Sequence, residues 1–162
     1  MFREMRRKTQ LLPREEAEDI LKNGTSGVLA VAGDDGYPYA VPLSYVYRDG
    51  KIWFHCAKVG HKMDAIAACD KVSFCVIGQD RVVPEKYTTH FRSAIAFGRA
   101  RVLEGEEKLR ALEALGERYN PGDTEGRQTE IAQNLERVAV VELSIEHLTG
   151  KEAVELARQR QN

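Results

Sequence analysis

The stretch GVLAVAGDDGYPYAVPLSYVYRDGKIWFHCA, Gly27–Ala57, decides the fold class. Gly27 to Ala32 is short, apolar and partly β-branched, and the turn cluster Gly33-Asp34-Asp35-Gly36 stops it. Tyr37 to Tyr47, rich in Tyr and Val, returns as a second strand, so the two make a hairpin. Arg48-Asp49-Gly50 then turns the chain into Lys51 to Ala57. Three consecutive strands joined by tight turns predict an antiparallel meander. Pro38 and Pro42 cannot donate ladder hydrogen bonds, so each marks an edge, a bulge or a strand end.

On the N-terminal side, Pro13 to Lys22 reads as a helix, with Pro13 at its first position, Glu15 and Glu16 in the first turn and Asn23-Gly24 as its stop. On the other side a helix is expected over His61 to Ala68, then a strand over Lys71 to Gly78 and a loop over Gln79 to Thr88. Phe91 to Glu104 is a long strand with Gly98 allowing a bend. Leu109, Leu112 and Leu115 set a helical spacing over Glu106 to Tyr119, and Asn120-Pro121-Gly122-Asp123 breaks it. A further helix over Thr124 to Leu135, a last strand over Arg137 to Ile145 and a polar tail from Glu152 complete the chain. Six strands with helices inserted at the loops predict a mainly β (α+β) architecture, a six-stranded antiparallel barrel with peripheral helices in one domain over 1–162. No Gly-x-Gly-x-x-Gly is present and strands do not alternate regularly with helices, which excludes a doubly wound fold.

Composition narrows the functional classes. Lys and Arg number 24 against 25 Asp and Glu, and this balance argues against a dedicated nucleic-acid binder. No apolar run approaches membrane-spanning length, and the basic N-terminus lacks the apolar core of a signal peptide, so a cytoplasmic protein with no membrane partner is expected. Three cysteines, Cys56, Cys69 and Cys75, have no paired ligand spacing; reduced buried thiols and no metal site are expected.

The chemistry concentrates in Phe-His-Cys-Ala-Lys-Val-Gly-His-Lys-Met-Asp-Ala-Ile, Phe54–Ile66. An apolar strand runs into a short turn carrying Lys58, Gly60, His61 and Lys62, where a helix starts. Two ammonium groups beside the amides of a helix N-terminus are what a phosphate group needs, and Gly60 lets the backbone come close. His61 is a candidate proton donor or acceptor near neutral pH; His55, on the strand, reads either as a satisfied half-buried side chain or as a chemical one. Val41, Pro42, Leu43 and Ser44 read as a core strand or as a flat bed for a planar ring. Arg92 and Ser93 open the long strand, within reach of an anion held mainly by another subunit.

Gly36–Tyr45, Phe54–Lys62, Val72–Val76, Phe91–Ala100 and His147–Glu152 together resemble the pyridoxamine 5′-phosphate oxidase-like flavin-binding split-barrel family, and specifically its Nim-type branch, associated with 5-nitroimidazole resistance. The resemblance covers nearly the whole chain. It implies a split β-barrel homodimer with FMN at the subunit interface. Lys58 and Lys62 match phosphate-binding positions, Val41, Pro42, Leu43, Ser44 and His55, Cys56, Ala57 match segments along the flavin ring, and Arg92 and Ser93 match a strand presented by the second subunit. His61 matches the histidine proposed to work near the redox centre. Cys56 stands where a small serine often precedes Ala-Lys, and the C-terminal Trp/Arg pattern of true pyridoxamine phosphate oxidases is absent, Trp53 being the only Trp. That absence argues against oxidation of pyridoxamine phosphate.

The expected activity is an FMN-dependent reductase passing electrons to a small electron-poor acceptor such as a nitroimidazole, with His61 supplying a proton. The alternative is a flavin- or haem-binding storage or sensor protein without turnover. Related barrels also hold a deazaflavin.

Overall fold

In the computed structural model, which describes residues 1–161, the strands are β1 (Leu11–Leu12), β2 (Ser26–Ala32), β3 (Pro38–Ser44), β4 (Val46–Arg48), β5 (Lys51–Ala57), β6 (Lys71–Val83), β7 (Thr88–Leu103) and β8 (Val138–Glu152). The helices are α1 (Arg14–Asn23), α2 (His61–Ala68), α3 (Gly105–Tyr119), α4 (Thr124–Asn134) and α5 (Val154–Gln161). All strands form one antiparallel sheet in the order β3-β2-β6-β7-β8-β5-β4, with β1 added on β8. β3 and β4 lie on opposite edges of this sheet, yet only Tyr45 separates them in the chain. The sheet therefore curls until its edges nearly meet. The chain crosses the seam where a barrel would have a hydrogen-bonded ladder, so the barrel is split.

Alternation along the strands fills the interior. Leu29 and Val31 of β2, Ile52 and Phe54 of β5, Phe74 and Val76 of β6, Ala94 and Ala96 of β7 and Val141 and Leu143 of β8 form one buried cluster. Helix α1 adds Ala17 and Leu21 to it, and α2 adds Ala65 and Ile66. Small residues on β7 leave room for the rings of Phe54 and Phe74, each fully buried. β8 is buried on both faces over residues 139–143, near its start, because α3 covers the outside, Ala111 packing with Leu103 and Val140.

Tyr45 fixes the seam. Its side chain is fully buried and its hydroxyl donates to the Leu21 carbonyl at 2.7 Å. Its backbone N–H donates to the Tyr119 hydroxyl of α3 at 2.9 Å, and that hydroxyl also lies against the Tyr45 and Thr25 carbonyls. One phenol thus serves a corner where neither sheet edge can. Burial pushes the Tyr45 phenol well above its ordinary range, with Tyr119 adding to the effect and Arg118 opposing it.

Five features differ from the sequence expectation. The predicted second strand is two strands, broken at Tyr45, and β1 is an added two-residue pairing. Gln79 to Thr88 is not a loop: β6 continues to Val83 and pairs β7 from Gln79 opposite Arg92 to Val83 opposite Thr88, after a bulge between Ile77 and Gln79. This ribbon projects past the barrel with Arg81 and Val82 both exposed, so no apolar alternation marks it. β8 likewise runs beyond Ile145 to Glu152, and Pro13 caps α1 rather than occupying its first turn. Pro38 and Pro42 both lie on β3, an edge strand paired with β2 alone, as their missing N–H groups require.

Candidate phosphate turn and cofactor edge

β5 buries Ile52 and Phe54 and turns His55 and Ala57 outward, so the chain leaves the barrel at Ala57 already facing solvent. Lys58, Val59 and Gly60 follow, all exposed. Gly60 has φ 127°, a conformation that side chains rarely adopt, and a Cβ there would meet nothing within 4 Å. The turn is open. α2 begins at His61, and its first backbone bonds run from the N–H groups of Met63 and Asp64 to the Gly60 carbonyl at 2.9 and 3.1 Å. The amides of His61 and Lys62 have no protein acceptor among the described residues. Neither Lys58 nor Lys62 makes an ion pair or side-chain hydrogen bond there. Two uncommitted ammonium groups and two open amides at a helix N-terminus fit a phosphate dianion.

His61 is not a free loop side chain. Its ring stacks on Tyr39 of β3 with centroids 4.2 Å apart and an interplanar angle of 18°. Its Nε2 lies 3.8 Å from the Asp34 carboxylate in the β2–β3 turn. The β2–β3 hairpin thus supplies both a stacking ring and a carboxylate to His61. Cys56 points the other way, to the interior, with Sγ 3.6 Å from Met63 Sδ. Burial pushes this thiol up, Lys62 opposing, and it meets the barrel interior rather than the turn.

The candidate ring strand splits by face. Val41 and Leu43 pack against the core, while Pro42 and Ser44 are exposed. β3 is an edge strand, so every second backbone group along it is left without a ladder partner and is available to a ring edge. Ser44 and His55 together line a cleft of about 660 Å³ between the barrel and the α3–α4 pair. The chain thus gathers His61, Lys58, Lys62, Pro42, Ser44, His55 and Ala57 along one edge of the barrel.

Arg92 and Ser93 lie elsewhere. Ala57 is opposite Val138 at the start of β8, whereas Arg92 is opposite Glu152 at its end. The guanidinium of Arg92 sits 3.1 Å from Glu152, which is fully buried, and 3.9 Å from Glu16. Ser93 alternates to the outer face with Ile95 and Phe97. One chain does not bring these two residues to the lysine turn.

Three features carried no sequence signal. Glu142 is buried and accepts from Trp53 Nε1 at 2.9 Å, Lys51 Nζ at 3.1 Å and Arg101 Nε at 3.0 Å. Burial raises its carboxyl pKa, but these donors outweigh burial and hold it below the ordinary value. Arg127 of α4 has a buried Nη1 without a partner. Cross-strand register also builds two rows on the outer face, Pro42·Val28·Cys75·Ile95 and Ala40·Ala30·Ser73·Phe97, leaving a sheet face poor in charge. Among the described residues no group of three or more His, Cys, Asp or Glu side chains is placed to hold a metal ion, and no helix is long and apolar enough to cross a membrane.

The family model described as pyridoxamine 5′-phosphate oxidase matches residues 13–152. The chain belongs to the pyridoxamine 5′-phosphate oxidase family. No curated protein matches it in sequence. Among solved structures, a conserved hypothetical protein of Mycobacterium tuberculosis is 21% identical with a TM-score of 0.80, covering 98% of this chain and 94% of that one. A candidate 5-nitroimidazole antibiotic resistance protein of Bacteroides thetaiotaomicron is 19% identical with a TM-score of 0.75, covering 88% and 86%. An FAD-binding protein of Mesorhizobium loti is 24% identical with a TM-score of 0.63, covering 89% and 97%. At these identities the likeness shows the pyridoxamine 5′-phosphate oxidase-like split barrel, in agreement with the sheet order above.

Proposed function

We propose that this chain is a flavin-dependent oxidoreductase that works as a homodimer and reduces a small electron-poor acceptor such as a nitroaromatic. The observation that carries the reading is the turn between β5 and α2, where Lys58 and Lys62 stand uncommitted beside the open amides of His61 and Lys62. That donor set suits the terminal phosphate of FMN. The Mesorhizobium neighbour, described as FAD-binding, supports a flavin as the class of cofactor.

When bound, the flavin supplies the electrons. Lys58 and Lys62 hold its phosphate as point charges and take no part in the chemistry. The exposed backbone of β3, with Pro42 and Ser44, orients the ring, and His55 and Ala57 border it from β5. His61, held by Tyr39 and facing Asp34 through Nε2, gives a proton to the acceptor from its other ring nitrogen.

The outer sheet face supports the dimer. Val28, Ile95 and Phe97 remain 37–39% exposed on it, a continuous apolar surface of the kind that marks an interface. Pro42 belongs both to this face and to the ring strand, so a second copy packed there borders the cofactor edge. Ser93, on the same face, is then the partner's contribution, while Arg92 stays with Glu152.

The test is the visible spectrum of the purified protein with mass analysis of what it releases. Reduced protein is then mixed anaerobically with a nitroimidazole. Released FMN and accelerated reoxidation are the expected results. A bound flavin whose reoxidation no nitro compound accelerates would make the protein a holder without turnover, and a Soret band would replace flavin by haem.

A further inference from the structure

The outer sheet face does not stop where the barrel does. Residues paired across two strands share a face, so beyond Ile95 this one continues onto the β6–β7 ribbon through Ile77, Asp80, Val82 and Phe91. Ile77 and Val82 are 67% and 66% exposed, and a two-stranded ribbon cannot cover such side chains by itself. At the other end of the same face lies a groove of about 730 Å³. Ala30, Ala32 and Ser73 line its floor, the β2–β3 turn from Gly33 to Gly36 forms one wall, and Phe2 against Phe97 forms the other.

The rows of the face decide how a second copy meets it. Val28, Cys75 and Ile95 make a bulky row; Ala40, Ala30 and Ser73, two residues along the same strands, make a small one that ends at Phe97. Two faces packed about a two-fold axis hold that axis between them, and its limiting directions are along the strands and across them. Along the strands, bulky row meets bulky row, the two ribbons project side by side and both grooves stay open. Across the strands, level with Leu29, Phe74 and Ala96, bulky meets small and each ribbon comes down on the other copy's groove. From Ala96 to Thr89, the partner of Val82, is about 24 Å of strand, and from Leu29 to Gly33 about 13 Å. The ribbon is long enough to cross the groove and reach its wall.

Charge agrees with this direction. Lys71 lines the groove and Asp80 lies on the outer face of the ribbon; both are exposed, and neither has an ion pair among the described residues. Across that axis Asp80 comes down just beyond Lys71, within reach of the long ammonium side chain. We propose that the β6–β7 ribbon of a second copy lies in this groove, with Asp80 on Lys71 and Val82 against the β2–β3 turn, which ends in the exposed Tyr37. The ribbon thereby closes on the turn whose Asp34 faces His61. The proposal rests on the dimer reading and adds to it the direction of the axis and the seat of the ribbon.

Sedimentation equilibrium of the purified protein tests this. The parent is expected to dimerise. Val82→Asp, a change at an exposed position, should weaken the dimer about tenfold or more. Asp80→Lys and Lys71→Asp should each weaken it several-fold by setting like charges together, and the double variant should recover most of the loss. Val82→Cys should form no disulfide between copies through position 82, because the axis holds the two ribbons about 48 Å apart. A parent dimer that Val82→Asp leaves unchanged, a double variant no tighter than the single ones, or that disulfide would overturn the proposal and leave the dimer standing. A parent that stays monomeric at every concentration would remove the dimer reading as well.

Discussion

His61 and Tyr39 are stacked, with ring centroids 4.2 Å apart and planes 18° from parallel. The contact joins the first turn of α2 to edge strand β3, so the turn carrying Lys58 and Lys62 and the edge of β3 form one surface rather than two neighbouring ones. It also restricts the imidazole, whose Nε2 already faces Asp34.

A histidine so held should act on the reaction and not on cofactor retention. His61→Ala is expected to keep its flavin while slowing reduction of a nitroimidazole on the order of 10²-fold. Stopped-flow reoxidation of the reduced protein measures this. An unchanged rate would remove His61 from the chemistry.

The Tyr119 hydroxyl serves the backbone of Tyr45 at the seam of the barrel. Tyr119→Phe leaves that buried N–H unpaired and should cost about 1–3 kcal/mol in urea unfolding.

Gly98 sits at the register shift between β7 and β8, and a Cβ there would overlap the carbonyl oxygen of Ser144. Backbone cannot swing aside as a side chain does. Gly98→Ala should therefore destabilise by about 3 kcal/mol or more, seen as a lowered thermal midpoint. A variant as stable as the parent would mean that the bulge relaxes freely.

Glu142 sets an acid limit. Its carboxyl is held below the ordinary value of 4.5, so its contribution is complete above that value and is lost as pH falls through the lower folded value. Glu142→Gln should cost on the order of 2–3 kcal/mol at pH 7, less than a fully enclosed pair because Lys51 and Arg101 keep contact with water. The gap between parent and variant should narrow on acidification in equilibrium unfolding. A gap independent of pH would assign the cost to packing alone.

What the sequence made legible follows from where an apolar core imposes a pattern. The β2–β3 hairpin, β5 and the helix over His61–Ala68 all touch the barrel interior, and their periodicity or turn residues mark them. The ribbon from Gln79 to Thr88 has solvent on both faces and therefore no alternation to read. Lys58 and Lys62 stand out as candidates in the sequence because their pattern is local, a turn before a helix. Arg92 looked equally available, but its commitment to Glu152 is a cross-strand pairing sixty residues away in sequence and has no local sign. Arg127 is one charged residue on a polar helix.

The central claim is that the turn between β5 and α2 holds the phosphate of a flavin. Dissociation constants for FMN and riboflavin, which differ by that phosphate alone, test it most directly in the parent and in the Lys58→Ala/Lys62→Ala variant. The account predicts FMN binding about 100-fold tighter than riboflavin in the parent, and near-equal affinities in the variant through loss of FMN affinity only. Equal affinities in the parent, or a preference for FMN that survives removal of both lysines, would contradict it.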